Sequence, residues 1–230
     1  MRFCAKQNFM RFCVIIFETI KRICCIKIMS ISRPFTMRKL YIFTLFLLLP
    51  IIGYSHPHVI VTYDVSFLLN ENGVYGIKMN WDMDEMFSAS LIDSFDENRD
   101  KKFDAAEVKV IQQEAFSNLE NYHYMTYVHL DNKPNKFFPA KDFHATIKDG
   151  IVKYTFTLPV DIKAEDKEKT LAVSVYDESY FMALNFKDSV TIEAAKNTAF
   201  SHSSNIKKNT VKTVYDTDEA RNIAQLTIKK

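Results

Sequence analysis

Residues 96–107 carry oxygen donors at the spacing of a calcium-binding loop. In the twelve-residue EF-hand loop, the ligands come from positions 1, 3, 5, 7, 9 and 12, and the last supplies two carboxylate oxygens. Several carboxylates on one short loop suit a hard cation, and apolar periodicity on both sides predicts a flanking helix pair. The predicted Ca²⁺ ligands are Asp96, Asn98, Asp100, the Lys102 carbonyl, Asp104 through water, and Glu107.

The loop departs from this pattern at its sixth position. The chain turns there with a positive φ, which favours glycine, whereas this sequence has Lys101. A side chain in that conformation costs about 1 kcal/mol, and the nearby positive charges of Arg99 and Lys102 oppose a cation. The alternative is a helix–loop–helix corner that is held by aspartate caps and binds no metal.

A basic and apolar leader precedes the main part of the chain. Met37-Arg38-Lys39 is followed by an apolar run over residues 40–52, and the small residues Gly53 and Ser55 stand three places and one place before His56. This pattern is typical of a signal peptide cut between Ser55 and His56, so residues 37–55 are predicted to direct export to the periplasm. A membrane anchor is disfavoured, because about 15 apolar residues reach only ~22 Å of a ~30 Å hydrocarbon core.

Residues 1–36 are interpreted as an over-long gene start, with synthesis beginning at Met37 or Met29. They contain all four cysteines of the chain, Cys4, Cys13, Cys24 and Cys25. The mature chain then has no thiolate, which excludes cysteine nucleophiles and cysteine zinc sites.

Two histidines would open the mature chain. Cleavage before His56 places a free α-amine and the rings of His56 and His58 within three residues, a possible site for Zn²⁺, Ni²⁺ or Co²⁺. Pro57 has no amide proton, so a complete Cu²⁺ chelate of the backbone cannot form. A third ligand from the folded domain is expected, with His129 first and Asp82 second. The alternative is that both terminal histidines are simply exposed.

Charge excludes one class of function. The leader of 55 residues leaves 21 of the 30 basic and 27 of the 28 acidic residues in residues 56–230, a net charge of −6. An acidic body argues against a nucleic-acid-binding module. Only four glycines are present, and no Gly-rich phosphate loop occurs.

The periodicities predict an α+β fold: an antiparallel sheet or sandwich with an inserted, EF-hand-like helix–loop–helix. Asn72-Gly73 predicts a hairpin turn after a first strand over residues 59–69. Residues 56–195 are expected to form one domain, and the polar residues 196–230 a mobile tail. Strands are predicted at 59–69, 74–80, 122–130, 137–148, 151–158, 170–176, 180–186 and 190–192, and helices at 81–95 and 105–119.

Several of these segments together resemble a bacterial family of secreted, ZevA-like proteins whose mature chains begin His-Pro-His-Val. The matching segments are His56–Val59, Trp81–Ser88, Asp96–Glu107, Asn121–Tyr124 and Tyr176–Phe181. The resemblance covers about residues 55–190. It implies a periplasmic component of a transport system encoded beside NicO-like nickel/cobalt membrane transporters, with a role in metal supply or export.

The histidines, the calcium loop and the acidic residues near Trp81 are consistent with three functions. The favoured one is a periplasmic accessory protein that exchanges zinc, nickel or cobalt with an inner-membrane transporter, using His56 and His58, with calcium as a structural ion. The second is an interaction module that has only the calcium loop. An enzyme using Asp82, Asp84 and Glu85 is disfavoured, because an acidic helix start explains those residues. No nucleic acid and no small organic substrate are expected.

Overall fold

A computed structural model describes residues 59–136, 138–212 and 218–230 of the protein. The described part opens with a β-hairpin. Strands β1 (Val59–Leu69) and β2 (Gly73–Met83) pair antiparallel across the predicted Asn72-Gly73 turn. The Asn70 side chain accepts hydrogen bonds from the backbone N–H groups of Asn72 and Gly73 at 2.8 and 3.1 Å. Local turn chemistry therefore sets this hairpin.

Helices follow the hairpin, and the remaining strands follow the helices. Helices α1 and α2 are Glu85–Phe95 and Ala105–Glu114, and a 3₁₀ segment covers Phe116–Met125. The later strands are β3 (Thr126–Leu130), β4 (Lys133–Pro134), β5 (Lys141–Lys148), β6 (Ile151–Lys163), β7 (Lys169–Val175), β8 (Met182–Ala194), β9 (Ser201–Lys212) and β10 (Asp218–Lys229).

The strands form two five-stranded sheets. The first has the order β5-β6-β2-β1-β8 and the second the order β4-β3-β7-β10-β9. Among the described strands, β1 and β8 pair in parallel and every other pair is antiparallel. The predicted α+β class is confirmed, with one parallel pair that the sequence did not indicate.

Alternating apolar residues of both sheets build one hydrophobic core. Along β6, the side chains at every second position from Val152 to Ile162 are buried. Leu171 and Val173 of β7 belong to the same cluster, as does Leu226 of β10. A period of two is the pattern of a strand with one face on a core.

Trp81 lies in β2 and not at the start of a helix, so the predicted helix over residues 81–95 is wrong at its beginning. Met79, Trp81 and Met83 alternate inward and are buried, while the residues between them are half-buried. Helix α1 starts only after Asp84, whose carboxylate accepts the N–H of Phe87 at 2.8 Å. The aspartate is an N-cap, which marks the true boundary.

The prediction of a mobile tail over residues 196–230 also differs from the structure. Residues 201–212 and 218–229 form β9 and β10, and β10 pairs with β7. Ala224, Leu226 and Ile228 are buried at every second position, so one face of β10 packs on the core. The polar residues that dominate the composition of 196–230 lie around these three apolar residues. The described residues are part of one compact unit that extends to Lys230.

Within the described ranges, none of the helices has the length and apolar character needed to cross a membrane.

Candidate functional site

The loop between α1 and α2 carries the predicted calcium ligands. Helix α1 ends at Phe95, with Asp96 as its C-cap, and α2 begins after Asp104. The Asp104 side chain accepts the N–H of Glu107, and the Glu107 side chain accepts the N–H of Asp104 in return, each at 2.9 Å. This capping box fixes the exit of the loop by local sequence alone.

Two buried carboxylates lie at the ends of this loop. Asp96 is 6% exposed and Glu107 is 7% exposed. The oxygens of Asp96 accept the N–H groups of Asp100 at 3.1 Å and Lys101 at 2.9 Å. Glu107 accepts the N–H of Glu97 at 2.9 Å through its other oxygen, so it joins the start of the loop to its end.

The middle of the loop is exposed and carries backbone strain. Lys101 has φ 64° and Arg99 has φ 59°. The positive φ expected at the sixth position is therefore present with a lysine in place of glycine. Asn98 and Asp100 are exposed, and each accepts one backbone N–H of the loop, from Asp100 and Lys102 respectively, at 2.8 Å.

The loop carboxylates face backbone N–H groups and not one another. No three His, Cys, Asp or Glu side chains of the described ranges converge closely enough to hold a metal ion in this arrangement. The residues supply the oxygens that Ca²⁺ prefers, and a carboxylate oxygen that accepts one N–H keeps a second lone pair for a cation.

Asp82, one of the two predicted third ligands, is held by lysines. Its oxygens accept Lys153 Nζ and Lys187 Nζ, each at 2.6 Å, and Lys187 Nζ also lies 3.3 Å from Asp64. Burial raises the pKa of the Asp82 carboxyl, but hydrogen bonds and charge from the two lysines outweigh burial and lower it. Burial lowers the pKa of the Lys187 ammonium group, but hydrogen bonds and charge from Asp82 and Asp64 outweigh burial and raise it.

His129, the other predicted ligand, lies on β3 between Pro134 of β4 and Ala172 of β7. Asp82 is on β2, and the two strands belong to different sheets. The structure thus separates these two candidates. As ligands, both remain predictions.

His56 and His58 lie outside the described residues. The described chain starts at Val59, which pairs with Met182 of β8. Asp84 holds this end of β1, because its side chain accepts the Ile60 N–H at 2.7 Å. The metal site at the two histidines stays a prediction.

Sequence reasoning assigned no role to Asp177, a buried carboxylate near the beginning of β1. Its Oδ2 accepts the N–H of Met182 at 2.9 Å, and its Oδ1 accepts both the N–H and the hydroxyl of Ser179. The Asp-x-Ser spacing is a signal for such a local turn, but it does not reveal which strand lies beside it.

Asp84 and Glu85 mark the start of α1. Asp84 caps the helix, and Glu85 is an exposed residue of its first turn. Burial raises the pKa of Asp84, but hydrogen bonds from the backbone N–H groups of Ile60, Phe87 and Met86 outweigh it and lower the pKa. These contacts give both residues structural explanations.

The fold and the loop together define a class: an α+β protein of two sheets that share one core, with a helix–loop–helix between the first hairpin and the remaining strands. Residues 41–229 match the sequence profile of a family described as "Protein of unknown function (DUF1007)", and the chain belongs to that family.

Two relatives are similar to parts of the chain. An "Uncharacterized protein" of Haemophilus influenzae is 22% identical over 141 residues, which are 60% of this chain and 66%, just under two thirds, of that protein. The "Uncharacterized 15.5 kDa protein in trpE 3'region" of Spirochaeta aurantia is 31% identical over 99 residues, 43% of this chain and 70% of that protein.

Proposed function

We propose that this protein is a non-enzymatic, periplasmic metal-binding accessory protein of an inner-membrane zinc, nickel or cobalt transporter of the NicO-like type. In this proposal the Asp96–Glu107 loop is an EF-hand-like site for structural Ca²⁺, and His56 and His58 hold the transported metal. The single observation that carries the metal-binding part is the pair of buried carboxylates, Asp96 and Glu107, at the two ends of one loop between helices.

Geometry favours calcium over a metal-free corner for two reasons. Glu107 stands at the position of the bidentate ligand, and its two oxygens lie between the entrance and the exit of the loop, where each accepts one backbone N–H. Lys101 keeps a positive φ, and its N–H donates to Asp96 at 2.9 Å, so the loop holds the turn that an EF-hand has at its sixth position.

A calcium titration tests this part. Millimolar Ca²⁺ should raise the melting temperature of the mature protein, because a ligand that binds only the folded state stabilises it by mass action. Glu107→Gln should abolish the rise. Glu114→Gln, an exposed position on the same helix, is the matched control and should keep it.

The lysine at the sixth position provides a second variant. Lys101→Gly should raise the melting temperature of the calcium-free protein, because about 1 kcal/mol of positive-φ strain is removed from the folded loop. It should also bind calcium more tightly, because a positive charge beside the cation is lost. A melting curve that calcium leaves unchanged in both wild type and Lys101→Gly would show that the loop is a metal-free corner.

The transition-metal part rests on the terminal sequence. Cleavage before His56 would supply an α-amine and two imidazoles, and the position of Val59 beside β8 limits which side chains can join them. Asp177 is a further carboxylate at this end of β8. Asp82 could coordinate a metal only by giving up its two lysine partners.

Zinc titrations of the mature protein test this part. Affinity should decrease as the pH falls through the imidazole range, because each ligand must lose its proton before it binds. His56→Ala, His58→Ala and a variant with one residue added before His56 should each bind more weakly than wild type. Equal zinc affinity in all four proteins would refute the site.

The second candidate is an interaction module that has only the structural calcium loop. The observation in its favour is the exposure of large aromatic side chains, Tyr122, Phe138 and Phe181. Alanine at both terminal histidines should abolish metal transport under the first proposal. An unchanged transport phenotype would favour the second.

A further inference from the structure

An apolar cavity of about 330 Å³ lies between the helical segment and the first sheet, and the proposed metal function does not use it. Its wall combines β2, α1, the 3₁₀ segment and the start of β8. The side chains that matter for the argument are Trp81, Leu91, Phe116, Met125, Phe181 and Met182. Binding sites for small molecules are mostly apolar cavities of about 300–1,000 Å³, so this volume suits a molecule of one or two rings.

The charge of the wall limits the ligand. Among the described residues that line the cavity, Asp177 is the single ionisable carboxylate, and none is Lys, Arg or His. Three hydrogen bonds from its own loop hold the buried Asp177 carboxylate in place. An anionic ligand would lose its hydration and meet this negative charge, and no described residue of the lining offers a cation to compensate, so a neutral ligand is favoured.

One residue of the wall also carries an unused donor. Trp81 is fully buried, and its indole Nε1–H has no hydrogen-bond acceptor. Phe156 packs edge-on against the ring at 5.3 Å between centroids and offers no oxygen or nitrogen. A buried donor that is left unpaired is costly, and a ligand with a carbonyl oxygen would satisfy it.

We propose that this cavity is a binding site for a small, neutral, mostly apolar molecule with one hydrogen-bond acceptor, such as an aromatic ketone. The proposal adds an organic ligand to the two proposed metal ions, and no motif of the sequence indicates it. Its ligand enters past Phe181, which is 53% exposed at the wall, and displaces no charged side chain.

Three naphthalene compounds of nearly equal size test the chemistry of the site. 2-Acetylnaphthalene is neutral with an acceptor, 2-ethylnaphthalene is neutral without one, and 2-naphthoate is an anion. Trp81 is the one tryptophan of the chain, so a single indole N–H signal in the ¹⁵N spectrum of the mature protein reports on this cavity.

Acetylnaphthalene should bind most tightly and move the indole signal downfield, as expected for a new hydrogen bond. Ethylnaphthalene should bind about fivefold more weakly and naphthoate at least about tenfold more weakly, as for the loss of a hydrogen bond and the burial of an uncompensated charge. An unmoved indole signal with acetylnaphthalene, or equal binding of naphthoate, would overturn the proposal.

Two exposed phenylalanines provide matched variants. Phe181→Ala removes part of the cavity wall and should weaken acetylnaphthalene binding about fivefold. Phe138 is 44% exposed and lies outside this cavity, so Phe138→Ala should bind as wild type does. The dispersion of the amide spectrum shows whether each variant is folded. Equal effects of the two substitutions would place the compounds on a general apolar surface and overturn the proposal.

Discussion

Gly73 should tolerate alanine much less well than Gly150, although both glycines have a positive φ. Gly73 begins β2 with φ 152°, and Gly150 lies in the turn between β5 and β6 with φ 78°. A Cβ at Gly73 would lie 2.0 Å from the Ile162 oxygen and 2.9 Å from the Lys163 Cα, whereas a Cβ at Gly150 meets nothing within 4 Å. The two substitutions therefore share a conformational cost but differ in their contacts.

The size of each destabilisation depends on which neighbouring atoms the new Cβ displaces. Alanine at a positive φ costs about 1–2 kcal/mol at either position, and its effect on the unfolded chain is the same for both. At Gly73 the atoms in the way are backbone, so β6 must move away from the turn. That movement breaks the hydrogen bond from the Ala164 N–H to the Asn72 oxygen, now 2.9 Å long, and the pairing of Gly73 with Lys163.

Each lost hydrogen bond costs about 1 kcal/mol, and displaced packing adds about 1–3 kcal/mol. We therefore expect Gly73→Ala to lower the free energy of unfolding by about 3–6 kcal/mol and Gly150→Ala by about 1–2 kcal/mol.

Urea unfolding of the mature protein, followed by circular dichroism, measures this difference. The slope of the unfolding free energy against urea should stay the same in all three proteins, so the midpoint alone reports stability. Equal destabilisation by the two alanines would refute the reasoning, because it would mean that the close backbone approach at Gly73 has no energetic effect.

Three further predictions follow from other parts of the molecule. Asp84→Ala should destabilise by about 1–3 kcal/mol through loss of the helix cap and the Ile60 contact, and exposed Asp93→Ala should not. Because the folded pKa of Asp84 is lowered from 3.8, its charge-dependent contribution is present above that pH, so the difference from wild type should shrink as acid takes the pH through the folded pKa. Phe116→Ala should cost about 3–5 kcal/mol in urea unfolding, since its ring is buried against Phe143 at 4.1 Å and Tyr124 at 4.9 Å, while Phe138→Ala should cost under about 1 kcal/mol. Intact-mass analysis of exported protein should find a chain that begins at His56, and any other start would contradict the predicted cleavage and remove the α-amine from the proposed site.

Features set by neighbouring residues could be predicted from the sequence. The Asn72-Gly73 turn and the start of α2 at Ala105 depend on contacts within a few residues. The β-branched and aromatic run over residues 59–69 predicts the span of β1, although its pairing with β8 is not local. The spacing of Asp96 to Glu107 likewise places both carboxylates on one loop without reference to any other part of the chain. Short-range steric and hydrogen-bonding rules are sufficient for such features.

Features set by distant residues could not be predicted in this way. Asp82 was a candidate ligand by type, but its lysine partners are 71 and 105 residues further along the chain. The sequence predicts a helix that begins at Trp81 because a run of acids follows this residue, although a strand pattern precedes it. Trp81 belongs to the strand because Met79, Trp81 and Met83 are buried against the core on one side of β2.

The same distinction explains the end of the chain and the apolar cavity. Residues 218–229 look too polar to fold by composition, but pairing with β7 satisfies their backbone and buries Ala224, Leu226 and Ile228. The cavity joins Trp81 to Phe181 across 100 residues of sequence. Sequence determines which side chains are available and which local turns form, whereas contacts between distant segments decide which of those side chains face one another.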